Sequence, residues 1–212
     1  EASNLAVLTS SNFDTSAEYV LKSTDGYYWN GVSGTSSNKW GGITKTLSDV
    51  ARVTISGTWA DGFTIKDSSN NYLRATTGNM TWATTQAGNF KMGTDSASNP
   101  IVYNGTANGL KVNGTSGIRL YENLTYNATN GKSVALYKIP ATKTLSSISV
   151  SGYTTEFTVG DAFSFGGIVT ATYSDSSTAN VTYSATFSGY NLSNVGNQTV
   201  TVSYTEGTTK TA

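Results

Sequence analysis

At 212 residues the chain has room for one large or two small domains. Lys+Arg and Asp+Glu balance at 13 each, so no overall field gathers a polyanion and a nucleic-acid partner is disfavoured. His and Cys are both absent, which removes Ser-His and Cys-His nucleophile systems, the usual base near neutral pH, and zinc sites of the His or Cys type.

From the N-terminus, one phrase recurs about every 40 residues: a short apolar strand, a polar turn, a second strand, then an aromatic. Its copies read Tyr19-Val20-Leu21-Lys22 with Tyr27-Tyr28-Trp29-Asn30, Phe63-Thr64-Ile65-Lys66 with Tyr72-Leu73-Arg74, and Ile101-Val102-Tyr103-Asn104 with Leu110-Lys111-Val112-Asn113. Turn dipeptides such as Asp25-Gly26, Asp61-Gly62, Gly78-Asn79, Asn104-Gly105 and Asn130-Gly131 cut the alternating stretches into short strands. Four strands per repeat result. The first repeat has 19–23, 27–32, 39–44 and 50–56; the second has 63–66, 72–76, 80–84 and 90–93. The third has 101–104, 110–113, 118–121 and 133–139. A helical signal at 47–51 is too short to matter. No single repeat can bury its own apolar face, so three are expected to close into one barrel capped by hairpins, with Leu21, Ile65 and either Val102 or Tyr103 as equivalents. Asn-X-Ser/Thr triplets such as Asn104-Gly105-Thr106 are read as turn chemistry.

Pro140 cannot continue a strand ladder, so residues 140–144 read as a linker between a domain at 1–140 and another at 144–212. Beyond it, strand signals fall every 8–12 residues or so, at Ile148 and Val150, Phe157 and Val159, 168–173, 181–187, and Val200, Val202 and Tyr204. That spacing predicts an antiparallel sandwich.

Twelve strands in three units is the count of a β-trefoil, and residues 1–140 resemble the β-trefoil lectin-like modules of secreted bacterial proteins. They are also similar to a repeat family of bacterial extracellular proteins, through Leu110-Lys111-Val112-Asn113, Gly117-Ile118-Arg119-Leu120-Tyr121 and Ala135-Leu136-Tyr137-Lys138. The ricin-type Gln-x-Trp signature is missing. Phe157-Thr158-Val159-Gly160-Asp161, Val169-Thr170-Ala171-Thr172-Tyr173-Ser174-Asp175 and the run from Gly196 to Tyr204 resemble bacterial immunoglobulin-like domains of surface proteins, a non-catalytic spacer or adhesive class. The fold expected is therefore all-β, a trefoil-like domain followed by a small Ig-like sandwich. Related Ig-like domains carry one more alternating strand after the turn at Glu206-Gly207. Here residues 208–212 only begin it, so the sandwich is expected to lack its last strand, as in a fragment of a longer multidomain protein.

These resemblances, with the Cys-free, Ser- and Thr-rich composition, imply an extracellular or bacterial cell-surface location. No apolar run approaches the 18 or so residues of a membrane span. The acids are scattered beside Gly, Ser and Asn, where they close turns. No calcium loop, metal-ligand cluster or cofactor motif occurs, and catalysis is not expected. A small carboxylate-dependent hydrolase is the less favoured alternative. Aromatics are the better candidates, because sugar rings stack on aromatic planes while Asp or Asn takes their hydroxyls. By repeat position the pairs are Asp25 with Trp40, Asp67 with Trp82, and Asn104 with Tyr121. They imply a carbohydrate ligand, against the alternative that these rings fill the core of a ligand-free structural segment.

Overall fold

Among the described residues the alternation in the first 140 positions becomes twelve strands in the predicted order, plus one short strand before them. The computed structural model describes residues 4–35, 38–74, 78–86, 89–105, 108–126 and 131–212. The strand end expected at 75–76, Thr106 of one triplet and Asn130 of one turn lie outside the described residues. The chain is all-β and divides into two units, Glu1–Ala141 and Thr142–Ala212.

In the first unit β1 (Ala6–Val7) precedes the repeats. The first repeat holds β2 (Tyr19–Ser23), β3 (Tyr28–Trp29), β4 (Ile43–Thr44) and β5 (Arg52–Thr58). The second holds β6 (Gly62–Asp67), β7 (Tyr72–Arg74), β8 (Thr81–Ala83) and β9 (Phe90–Thr94). The third holds β10 (Pro100–Asn104), β11 (Gly109–Asn113), β12 (Gly117–Tyr121) and β13 (Lys132–Lys138). β3 is shorter than the expected 27–32. Past Trp29, the Val32 amide donates to Asn30 Oδ1 (3.1 Å) and the Trp29 indole donates to the Val32 carbonyl (2.9 Å), so that the Asn30 amide and the Val32 carbonyl both bond Gly42 and the regular ladder gives way to a bulge. The signal at 47–51 becomes a 3-10 turn at Leu47–Asp49.

Six long strands follow one another in a ring. β2 pairs with β5, β5 with β6, β6 with β9 and β9 with β10; β13 lies beside β10 and pairs back to β2, with Leu136 opposite Leu21. β3/β4, β7/β8 and β11/β12 are three antiparallel pairs, each joined to the ring by its preceding strand. Lys22 pairs with Tyr28, Lys66 with Tyr72 and Tyr103 with Gly109. That register makes Val102, not Tyr103, the equivalent of Leu21 and Ile65, and all three are fully buried. Inward positions alternate with outward ones as a pleated strand requires, and the inward set forms one core that includes Trp29, Phe63, Met80, Phe90 and Ile118.

The three hairpins meet. Gly41 and Ile118 exchange backbone bonds (2.8 and 2.9 Å), Met80 N donates to the Lys39 carbonyl (3.0 Å), and Gly78 N donates to that of Leu120 (2.8 Å). Met80 is shut in against Gly41. A Cβ on Gly117, whose φ is +138°, would come 2.4 Å from the Gly41 carbonyl oxygen. Backbone cannot swing aside as a side chain does. Gly117→Ala should therefore destabilise the first unit by about 2 kcal/mol or more. Thermal unfolding checks this, and an unchanged melting temperature would show that the junction yields.

In the second unit, β14 (Leu145–Ser151), β15 (Ile168–Tyr173) and β16 (Thr178–Asn180) form one antiparallel sheet; β17 (Thr186–Ser188), β18 (Thr201–Glu206) and β19 (Thr208–Thr211) form another. The strand expected at 168–173 forms as read. The signal at Phe157 and Val159 gives no strand. There the Asp161 amide donates to the Thr158 carbonyl (3.0 Å) and the Thr158 amide to Asp161 Oδ2 (2.9 Å), closing a turn instead of a ladder. The single strand expected over 181–187 is broken. The Thr182 hydroxyl accepts the Val169 amide (2.9 Å) and donates to Asn180 Oδ1 (2.7 Å), winding a 3-10 turn that carries the chain from the first sheet to the second. The last strand, expected only to begin, pairs with β18 over four residues, and Ala212 and Val202 exchange backbone bonds (3.0 Å each). Tyr173 and Tyr204 both donate to Glu206 Oε2 (2.7 and 2.9 Å). Those bonds hold the Glu206 carboxyl low and push Tyr173 up to about 12. No helix among the described residues is long and apolar enough to cross a membrane.

Candidate functional site

The polar halves of the three predicted pairs are occupied by the turns they sit in. Asp67 Oδ1 accepts the amides of Ser69 (2.9 Å) and Asn71 (2.8 Å), and its Oδ2 accepts the Asn71 side-chain amide (3.0 Å). Asn104 Oδ1 accepts the Asn108 amide (3.2 Å). In the first repeat the residue in that place is Ser23, whose hydroxyl accepts the Tyr27 amide (2.9 Å). The backbone agrees. Ser23 N bonds the Tyr27 carbonyl as Asp67 N bonds that of Asn71 and Asn104 N that of Asn108. The equivalent set is thus Ser23, Asp67 and Asn104. Asp25 stands two residues on, accepting from Ser23 Oγ (2.5 Å) and lying 3.3 Å from Lys132 Nζ.

The aromatic halves are not equivalent to one another either. Tyr28 faces Thr44, Tyr72 faces Ala83 and Gly109 faces Tyr121. Tyr121 therefore matches Thr44 and Ala83, while Trp82 matches Ile43 and Leu120. Trp82 stacks on the buried Trp29, ring centres 4.4 Å apart and planes 19° off parallel, and its indole nitrogen is shut in without a partner among the described residues. Trp82 belongs to the edge of the core. Trp59 packs likewise, edge-on against Phe13.

Trp40 and Tyr121, assigned to different pairs, are brought together by a residue outside all of them. The Arg119 guanidinium carbon lies 4.1 Å from the centre of the Trp40 ring and 4.7 Å from that of Tyr121. All three side chains are half-buried. Arg119 and Tyr121 share one face of β12 because residues two apart in a strand point the same way. Ile118 and Leu120, on the other face, are fully buried and anchor them. Trp40 is delivered from the first hairpin by the bonds between Gly41 and Ile118. Among the described residues, Arg119 Nε and Tyr121 Oη are shut off from solvent with no hydrogen-bond partner.

Behind Tyr121 stands Lys111, opposite Arg119 across β11 and β12. It is 2% exposed, and its Nζ lies 5.6 Å from the Tyr121 ring centre. Like charges facing each other across strands repel. Here the ammonium is drawn aside, donating to Asn123 Oδ1 (3.0 Å) and the Thr125 carbonyl (2.7 Å). Burial pulls its pKa down, and the nearby Asp95 carboxylate opposes that pull. Arg119 and Lys111 are the residues that charge and repeat arguments pass over. The signal for Arg119 was present in the alternation Ile118-Arg119-Leu120-Tyr121, a cation two residues from an aromatic on a strand whose other positions face inward.

The second unit has a groove of about 850 Å³ lined by Tyr153, Phe157, Phe163, Phe165 and Tyr190 among others. Its rings run in contact, Phe157 on Phe163 (5.6 Å), Phe163 on Tyr190 (4.2 Å) and Tyr153 on Phe165 (5.9 Å), and none is fully buried. It has few charged groups with which to orient a polar ligand.

In comparisons with protein families, with curated proteins and with solved structures, nothing matches this chain significantly.

Proposed function

We propose that the chain is a non-catalytic carbohydrate-binding part of a secreted or cell-surface bacterial protein, with the sugar seated at Trp40, Arg119 and Tyr121. On this reading the first unit is a β-trefoil, supported by a six-strand ring with three hairpins meeting at Gly41, Met80 and Ile118. The second is an immunoglobulin-like spacer, supported by its two antiparallel three-stranded sheets. The observation that carries the function is the Arg119 guanidinium held against the rings of the half-exposed Trp40 and Tyr121. An indole face, a phenol ring and the terminal guanidinium nitrogens are the groups with which a shallow site takes a sugar ring and its hydroxyls. The carboxylates of Asp25, Asp67 and Asp95 are committed to bonds within the chain, which leaves them poorly placed for acid–base work.

A glycan array on the 212-residue protein, followed by calorimetry on the hits, tests the reading. Trp40→Ala should cost about tenfold in affinity or more while far-UV circular dichroism stays unchanged. Binding that survives this substitution undiminished would move the site elsewhere. A specific observation favours a second reading, a structural segment without a ligand. Four of the six predicted side chains, Asp25, Asp67, Asn104 and Trp82, are taken up by turns and core. An array on which the folded protein binds no glycan would decide for that one.

A further inference from the structure

We infer that the site selects sugars bearing a carboxylate, with Arg119 as the recognising cation; this rests on the saccharide reading above. A guanidinium held against two rings, with its Nε shut in, offers a ligand the end that carries its two terminal nitrogens. That is the geometry in which it takes a planar carboxylate through two parallel N–H bonds. Trp40 and Tyr121 supply those rings at 4.1 and 4.7 Å. Among the described residues Arg119 has no acidic partner: the ion pairs are Arg52 with Glu18, Lys132 with Asp25 and Lys138 with Asp14. Of its nitrogens only Nε is shut in without a partner, and among the described residues the two terminal nitrogens make no hydrogen bond or ion pair. Fixing a long cation in one orientation without an anion costs side-chain entropy and solvation. The two rings offset that cost by stacking, and the charge is left in place for a ligand.

The surroundings add to this. Lys111 places a second positive charge behind Tyr121, and its own donors are directed at neutral oxygens. It therefore presents no competing contact, and the Asp95 carboxylate near it offsets part of its charge. Glu122, the nearest acid in sequence, forms no ion pair with Arg119. With a net charge of +0 over the chain, the site is one local cationic point on a neutral protein. It suits a sugar ring with a single carboxylate, as in a uronic acid, rather than a densely sulfated polymer, which would need an extended basic face.

The test is calorimetry with matched ligands: an oligogalacturonate, the same oligosaccharide after reduction of its carboxyls, and a sulfated galactan fragment. The acidic form should bind the wild-type protein at least tenfold more tightly than the reduced form. Arg119→Gln should abolish that preference, bringing the affinity for the acidic form down to that for the reduced form. If Arg119→Gln does not fold, Arg119→Lys carries the test. It keeps the charge but loses the planar fork, and the preference should fall several-fold. Equal affinity for acidic and reduced sugars, or a preference untouched by either substitution, overturns the inference and leaves the saccharide site standing. Tightest binding to the sulfated fragment also overturns it. Failure of the folded wild-type protein to bind any of the three, or any arrayed glycan, overturns the saccharide reading itself.

Discussion

Trp29→Ala will lower the stability of the first unit by about 3–5 kcal/mol, the usual cost of deleting a buried indole. Trp29 is 1% exposed and sits on β3, the two-residue strand that starts the first hairpin. Three things go with the ring. Its apolar surface leaves a cavity among Leu73, Met80 and the rest of the core. Trp82 loses the ring it stacks on, worth about 1 kcal/mol beyond area. The Val32 carbonyl loses one of its two donors and keeps the Gly42 amide (3.0 Å). A domain of this size has roughly 5–15 kcal/mol of stability in total, so the melting temperature should fall by about 10 °C or more. Trp29→Phe should recover part of the loss. A fall of only a degree or two in Trp29→Ala would mean that the indole is not a pillar of the core.

Asp95→Ala should be nearly as damaging, and through bonds rather than volume. Asp95 is 5% exposed, at the turn between β9 and β10. Its Oδ1 accepts the amides of Ala97 (2.8 Å) and Asn99 (3.0 Å); its Oδ2 accepts the hydroxyl of Ser133 (2.6 Å) and the Asn99 side-chain amide (3.0 Å). Ser133 is itself fully buried on β13, so this one carboxylate ties a turn to the strand that closes the ring. Removing it strands several donors at about 2–4 kcal/mol in all. Burial alone would raise the Asp95 pKa; the bonds to Ser133, Asn99 and Ala97 outweigh it and hold the carboxyl below the ordinary value. The sign follows. A carboxylate whose folded pKa lies below its unfolded value of about 3.9 contributes fully above that pH. Its contribution is then lost as pH falls through the lower, folded value. Stability of the first unit should therefore decline below about pH 4. Asp95→Asn, which cannot accept on both sides, should lower stability at pH 7 and flatten that decline. Some slope will remain, because Asp14 is held low as well by Ser16 and Lys138. A variant that keeps the full acid slope would locate it in other carboxylates.

Strand positions were legible because alternation and turn residues are local. Every one of the twelve expected strands has a counterpart, and 19–23 matches to the residue. The failures occur where a side chain competes with the ladder. Asn30 ends β3, Asp161 closes a turn in place of the strand at Phe157, and Thr182 winds the chain between sheets. Each is a short polar residue whose own bond offers the backbone an alternative to pairing. Composition marks such residues as turn formers but does not say which of many Ser, Thr and Asn will win.

The site divides along the same line. By itself the sequence determined that the chemistry available is that of aromatics, amides and scattered charges, since it holds neither His nor Cys. It also determined the repeat, and therefore that equivalent residues exist. Which residues are equivalent was decided by strand register, and register is set by pairing between distant segments. A shift of two positions replaces Asp25 by Ser23 in the turn set, and the pairing of Gly109 with Tyr121 separates Tyr121 from Trp82. Only the tertiary structure could place Trp40 against Arg119, 79 positions apart in the chain. The two meet because Gly41 and Ile118 bond where the hairpins converge, a contact that no local pattern encodes.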